Sequence, residues 1–199
     1  MDRKILRIRI SVAASVSALV LSAAAWGPGL DGPGRDAEDG LRVLIGAGSG
    51  GETRSVRAAV RAWSADSGRE ASVAVAADMP RQLSRGFANG NPPDVFALGT
   101  EEFAAYATRG FLRPYGDDFA GAGHLHPALV EAFTVDGALV CAPKDPDAAY
   151  DAGASPAGAP TGTASSLECW GIAADSPDHR AAVDLVRHLT RSASESADG

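Results

Sequence analysis

Hydrophobic positions in residues 41–110 alternate between short continuous runs and runs with helical spacing. After the first run, Val56, Ala59, Val60 and Trp63 recur at intervals of three and four, which is typical of one apolar helix face. Strands that alternate with such helices favour an α/β fold with a parallel sheet and right-handed crossovers. The three apolar runs predicted as strands are Leu41–Ile45, Val73–Ala77 and Asp94–Leu98.

Capping and turn residues mark where these elements begin and end. Gly68 and Gly110 are typical helix terminators, and Pro80 is suited to the first turn of the second helix. Thr100 is predicted as the N-cap of the third helix, with acidic residues in its first turn. Further along, the dipeptide Asp136-Gly137 predicts a tight turn in a hairpin over residues 133–140.

The last third of the chain combines a low-complexity stretch with a short ordered pattern. Residues 147–167 are nearly all Ala, Gly, Pro, Ser, Thr and Asp, which indicates a linker after the predicted lobe at 41–146. Residues 168–191 then predict a strand and a helix, with Ser176 as N-cap and Pro177 at the first helical position. Residues 192–199 are predicted to be a polar tail.

The N-terminus has the pattern of an export signal. Residues 1–25 combine a basic head, an apolar middle broken only by serines, and a small-residue end. We therefore expect a cleaved signal peptide, a flexible spacer at 26–40 and a secreted, extracytoplasmic protein. An uncleaved membrane anchor is the alternative, although the apolar run is shorter than the ~20 residues of a spanning helix. No cysteine lies near the expected cleavage point, so a lipoprotein is not expected.

The charge balance argues against nucleic acid as a partner. The 199-residue chain has a formal charge of −7, from 18 Lys and Arg against 25 Asp and Glu. Its first nine residues hold four basic residues and one acidic residue, so the remainder has 14 basic and 24 acidic residues, or −10. An acidic chain of this kind lacks the electrostatic footprint of a nucleic-acid-binding protein.

Two cysteines, Cys141 and Cys169, lie in or beside apolar, strand-like runs. In an oxidising compartment they either form one disulfide or are two small buried residues. The pattern His124-x-His126 lacks a third ligand nearby, and we predict neither a metal site nor a catalytic group. The chain is therefore not expected to be an enzyme.

A glycine-rich turn, Gly46-x-Gly48-x-x-Gly51, follows the first strand and opens a helix. This pattern is typical of dinucleotide-binding proteins, with Asp78 as the candidate ribose-binding acid. Because an exported protein rarely meets such a cofactor, we favour a simple strand-to-helix turn and predict no cofactor. A Rossmann-type nucleotide-binding protein remains one alternative.

Three stretches occur in the order found in one family. They are FANGNPPDVF at 87–96, FTVDGALVCAP at 133–143, and WGIAA at 170–174 followed by AAVDLVRHLT at 181–190. Together they resemble extracellular solute-binding proteins of bacterial ABC importers, in particular the sugar-binding family 1. The resemblance implies a type II periplasmic-binding-protein-like lobe, with a parallel-dominated sheet, flanking helices and the second lobe largely missing.

The same resemblance implies a function and a site. The expected ligand is a small solute, in particular a sugar, and the expected partner is an ABC permease. With one lobe only, the chain is expected to be truncated, with weakened or lost binding. The alternative is a secreted interaction module built on one lobe. The implied ligand-binding residues follow the three strands: Ser49, Gly50, Gly51 and Glu52, then Asp78, then Gly99, Thr100 and Glu101.

Overall fold

A computed structural model describes residues 40–115, 119, 125, 127–144 and 167–197. The expected signal peptide, most of the spacer and most of the linker lie outside these residues, as do His124 and His126. The strands are β1 (Leu41–Gly46), β2 (Ala71–Ala76), β3 (Val95–Gly99), β4 (Thr134–Val135), β5 (Ala138–Leu139), β6 (Cys141–Pro143) and β7 (Glu168–Ile172). The helices are α1 (Gly50–Ser67), α2 (Met79–Ala88), α3 (Thr100–Thr108), α4 (Pro127–Ala132) and α5 (His179–Ala197).

Among the described residues, the main sheet has five strands in the order β2-β1-β3-β7-β6. Strand β1 is parallel to both β2 and β3, whereas β7 is antiparallel to its neighbours β3 and β6. Strand β6 therefore runs in the same direction as β1, β2 and β3. The prediction of an α/β fold with a parallel-dominated sheet is confirmed.

Helices cover both faces of this sheet, and the apolar side chains of β1 point alternately to one face and the other. Val43 and Ile45 belong to a core that includes Trp63 of α1 and Leu185 of α5. Leu44 belongs to a second core, on the other face, that includes Leu83 of α2 and Phe103 of α3. Burial on both faces explains why β1 is a continuous apolar run rather than an alternating one.

Local signals fix several boundaries where the sequence predicts them. Gly68 ends α1 in the left-handed conformation, with φ of 69°, and its N–H donates to the Ser64 carbonyl at 3.0 Å. The 133–140 hairpin is also confirmed: β4 pairs with β5, and Asp136 and Gly137 both have positive φ. Two successive residues with positive φ are what a tight hairpin turn requires.

The start of α5 differs from the prediction. The cap is Asp178, whose carboxylate accepts the N–H of Ala181 at 3.0 Å, and the helix begins at His179 rather than at Pro177. Ser176 is not the cap, because its hydroxyl donates to the buried carboxylate of Asp94. Helix α5 also continues beyond Arg191, where we expected a tail, as far as Ala197.

Two smaller differences concern α3 and α4. The N-cap of α3 is Gly99, so Thr100 is its first helical residue rather than its cap. The acidic residues Glu101 and Glu102 do lie in the first turn, as predicted. The helix at Pro127–Ala132 was not predicted, because six residues are too few to show an amphipathic period.

A disulfide joins Cys141 of β6 to Cys169 of β7, and both residues are fully buried. Their Cα atoms are 5.4 Å apart. The bond connects the two strands on either side of residues 145–166. None of the helices in the described ranges combines the length and apolar character needed to cross a bilayer.

Candidate functional site

The residues predicted to contact a ligand lie along one edge of the sheet. Strands β1, β2 and β3 are parallel neighbours, so they all end at this edge, and α1, α2 and α3 all begin there. The first N–H groups of a helix have no partner within the helix, and the helix dipole places partial positive charge at that end. Three helix N-termini therefore present donors at one edge, where open α/β sheets bind ligands. We call this the carboxyl edge.

Several of the predicted residues at the carboxyl edge cap these helices. The Ser49 hydroxyl accepts the N–H of Glu52 at 3.1 Å and caps α1. Asp78 caps α2 by accepting the N–H of Arg81 at 3.1 Å, and it forms an ion pair with the same arginine. The structure thus gives Ser49 and Asp78 a role in folding in addition to any role in binding.

Other predicted residues are open to solvent at the same edge. Gly50, Gly51, Thr100 and Glu101 are exposed or partly exposed. The N–H of Gly99 donates to the carboxylate of Glu102 at 3.2 Å, so this N–H is already used. The side chains of Thr100 and Glu101 provide a hydroxyl and a carboxylate that face solvent beside the end of β3.

Lys144 is one of the residues at this edge that the sequence did not indicate. It follows β6, only 12% of its side chain is exposed, and its Nζ donates to the carboxylates of Glu52 and Glu168. Its ammonium also lies 5.7 Å from the ring centroid of Trp170. Burial alone lowers the pKa of Lys144, but the hydrogen bonds and charges of Glu168 and Glu52 outweigh burial and raise it.

No pattern in the sequence marks this cluster, because its members are far apart in the chain. Lys144 is separated from Glu52 by 92 positions and from Glu168 by 24. The pairing depends on β6 ending next to the start of β7 and near the start of α1, which only the folded sheet determines. Of the predicted site residues, Glu52 is the one that the fold draws into this ion-pair cluster.

The position of Glu52 also bears on the dinucleotide-binding alternative. A Cβ atom on Gly48 would lie 2.1 Å from Oε2 of Glu52, so the carboxylate occupies the space that the missing side chain leaves. In a dinucleotide-binding turn, the second glycine leaves that space for the pyrophosphate. A carboxylate in the turn would repel a pyrophosphate, so the arrangement disfavours this alternative.

The chain leaves and re-enters the sheet at the carboxyl edge. The N–H of Lys144 donates to the carbonyl of Glu168 at 2.9 Å, and Glu168 lies opposite Gly99 in the β3–β7 ladder. The N–H of Thr100 donates to the carbonyl of Leu167 at 3.2 Å. Residues 145–166 are therefore attached directly beside two of the predicted ligand-binding residues.

Comparison with known proteins gives structural likeness only. No protein-family model matches the chain, and no curated protein matches it. Similar solved structures include an ABC substrate-binding protein from Listeria monocytogenes in complex with cycloalternan, with a TM-score of 0.47 and 21% identity. An extracellular solute-binding protein family 1 member from Alicyclobacillus acidocaldarius has a TM-score of 0.48 and 24% identity.

The maltose-maltodextrin binding protein of Alicyclobacillus acidocaldarius is also similar, with a TM-score of 0.44 and 19% identity. The three likenesses cover 51–53% of this chain but only 28–29% of those proteins. The matched part of the chain thus spans less than a third of the length of the solute-binding proteins that it resembles.

Proposed function

We propose that the protein is a secreted, extracytoplasmic solute-binding protein that binds a carbohydrate at the carboxyl edge. The N-termini of α1, α2 and α3 lie at this edge together with Lys144, where the chain leaves the sheet, and Leu167, where it re-enters. This arrangement is the observation that carries the proposal. The ligand class comes from the resemblance of the stretches at 87–96, 133–143 and 170–190 to sugar-binding proteins of ABC importers. The proposed contacts are Ser49, Gly50, Gly51, Glu52, Asp78, Gly99, Thr100 and Glu101.

The chemistry of this edge suits hydroxyl-rich ligands. The helix-start N–H groups that the caps and the Leu167 carbonyl leave unused donate to sugar oxygens, the Thr100 hydroxyl both donates and accepts, and the Glu101 carboxylate accepts. Glu52 already forms an ion pair with Lys144. We therefore expect its carboxylate to accept hydrogen bonds from ligand hydroxyls rather than to pair with a charged ligand. Binding of this kind needs no cofactor and no catalytic group, in keeping with a protein that is not an enzyme.

Affinity and partners depend on the shape of the lobe. Small-molecule sites usually enclose most of the ligand between two walls, and this edge supplies one wall. We therefore expect weak binding by this lobe, with an ABC permease as the partner in transport. Export of the protein depends on residues 1–25, which we propose are removed as a signal peptide.

Thermal unfolding of the purified protein tests the proposal, measured with and without a panel of mono- and oligosaccharides. A ligand that binds only the folded state raises the transition temperature by an amount that grows with its concentration. We expect one saccharide to raise it, and Thr100→Val and Glu101→Gln to remove the shift. Glu70→Gln, an exposed carboxylate that precedes β2 at the opposite edge, is the matched control and keeps it.

A cooperative transition that no saccharide shifts would contradict carbohydrate binding. An interaction module built on this lobe would then be the better hypothesis, and pull-down against acidic and neutral peptides would be the next experiment. No observation favours that alternative, because Val75, at 37%, is the one exposed large hydrophobic side chain among the residues whose exposure the structure describes.

A further inference from the structure

A hollow lies away from the carboxyl edge, between the end of α1 and the first half of α5. Its volume is about 360 Å³. Helix α1 begins at the carboxyl edge and ends at Ser67, four residues before β2 starts, so the hollow lies toward the other end of the sheet. Its lining residues are Ser67, Arg69, Arg180, Ala181, Val183, Asp184 and Arg187.

Two carboxylates at or beside this hollow are already engaged by the protein. Asp184 accepts the indole N–H of Trp63 at 2.9 Å and lies 3.6 Å from the guanidinium of Arg187. Asp178, which caps α5, forms an ion pair with Arg69. These acids are therefore held in place by the fold.

Two of the three arginines retain unused donors. Arg180 is exposed and has no carboxylate partner within the described ranges. The Nε–H of Arg187 is buried, and no described acceptor reaches it. A buried donor without an acceptor is costly, and a guanidinium binds oxyanions through two parallel N–H groups. The hollow thus has more guanidinium than carboxylate groups in its lining, and the exposed Arg180 offers donors that no carboxylate of the described ranges engages.

The floor of the hollow is apolar. Ala181 and Val183 are both buried, and they lie on the same half of α5 as the arginines. The N-terminal end of α5 adds the partial positive charge of the helix dipole. A ligand that fits these features has an oxyanion at one end and a compact body that contacts the apolar floor.

We propose that this hollow binds a small organic oxyanion, with Arg180 and Arg187 as its recognition residues. A carboxylate and a phosphate share the geometry that a guanidinium recognises. A volume of about 360 Å³ is near the lower end of the range for small-molecule sites, which suits a ligand of one ring or a short chain. The site is separate from the carbohydrate site and does not depend on it.

The test is thermal unfolding of the purified protein at constant ionic strength, titrated separately with inorganic phosphate, benzoate and uncharged benzyl alcohol. We expect a saturable rise in transition temperature with at least one of the two anions and none with the alcohol. A stronger effect of phosphate assigns a phosphate ligand, and a stronger effect of benzoate assigns a carboxylate with an apolar body.

Variants distinguish this site from general salt effects. Arg180→Gln, on the surface, is expected to weaken anion binding roughly tenfold, as the loss of one charged hydrogen bond predicts. Arg187→Lys keeps the charge but removes the fork and is expected to weaken binding as well. Arg61→Gln, on an exposed position of α1, makes the same charge change outside the hollow and is the control. The proposal is overturned if neither anion gives a saturable shift, or if Arg61→Gln weakens binding as much as Arg180→Gln.

Discussion

The hydroxyl of Ser176 donates to the carboxylate of Asp94 at 2.9 Å, across 82 positions of the chain. The other oxygen of this carboxylate accepts the backbone N–H of Arg42 at 2.7 Å. Asp94 is fully buried. It therefore ties the entry to β3, the start of β1 and the turn before α5 together, and buried polar groups of this kind are stabilising only while all partners remain.

We expect Asp94→Ala to lower the free energy of unfolding by about 3 kcal/mol, because it removes the acceptor of a partly buried N–H and of a buried hydroxyl. Ser176→Ala should cost about 1 kcal/mol. Urea denaturation of both variants and of the double variant measures the coupling. If the bond is real, the double variant loses less than the sum of the two; strict additivity would count against it.

Lys144 is expected to hold the start of α1 to the end of β6 and the start of β7. Lys144→Met should destabilise the protein by about 1–2 kcal/mol, a value reduced from that of a fully buried pair because both glutamates are partly exposed. The loss arises mainly from Glu52 and Glu168, which would repel each other without the ammonium between them. Chemical denaturation at neutral pH measures it, and an unchanged midpoint would rule out this role.

Glu101→Gln is the matched control for Lys144→Met, because it removes an exposed charge from the same edge without touching the cluster. A further check is the variant that combines Lys144→Met with Glu52→Gln and Glu168→Gln. Removing all three charges should recover part of the stability that Lys144→Met alone loses.

The Cys141–Cys169 disulfide closes a loop with a sequence separation of 28 residues. In the chain-entropy model, a bond that closes a loop of this size stabilises the folded state by about 3–4 kcal/mol. We expect the Cys141→Ala and Cys169→Ala double variant to lose this amount in urea denaturation. A reducing agent should destabilise the native chain to the same degree and leave the double variant unaffected. Two free thiols in a non-reducing peptide map would show that the bond does not form.

We expect the protein to lose stability at alkaline pH because the Tyr115 hydroxyl is buried. This hydroxyl donates to the Trp170 carbonyl and accepts the N–H of Ala142 at 3.3 Å. Burial raises the pKa of Tyr115 above its usual 10.0, although the Ala142 hydrogen bond opposes this. Above pH 10.0, the Tyr115 hydroxyl releases its proton in the unfolded chain but retains it in the folded chain. The free energy of unfolding therefore falls as pH rises. The raised pKa of Lys144 acts in the same direction above 10.5.

Urea denaturation at pH 8 and at about pH 11 measures this effect. Tyr115→Phe should cost about 1–2 kcal/mol at pH 8, because it removes both hydrogen bonds that the buried hydroxyl makes. It should also reduce the decline between the two pH values, since one of the responsible groups is gone. An equal decline in the variant and the native chain would show that Tyr115 does not titrate as described.

Much of the local structure follows from short-range patterns. The period of apolar residues predicted the first three strands and their helices, and Gly68 and the Asp136-Gly137 turn marked boundaries correctly. These signals are local because a helix face or a hairpin turn depends on residues within a few positions of one another. The same locality explains the error at Ser176: its hydroxyl lies close to a helix start in the chain, but the buried carboxylate of Asp94 binds it instead.

The α/β class and the loops that contain the candidate ligand residues can be predicted from the sequence, because strand and helix periods and glycine turns depend on residues close together in the chain. Three features could not be predicted in this way: β7 lies between β3 and β6, Lys144 lies between Glu52 and Glu168, and Arg180 and Arg187 line a hollow with Arg69. Each of these results joins residues from distant parts of the chain, and such contacts form only when the whole sheet and its helices pack together.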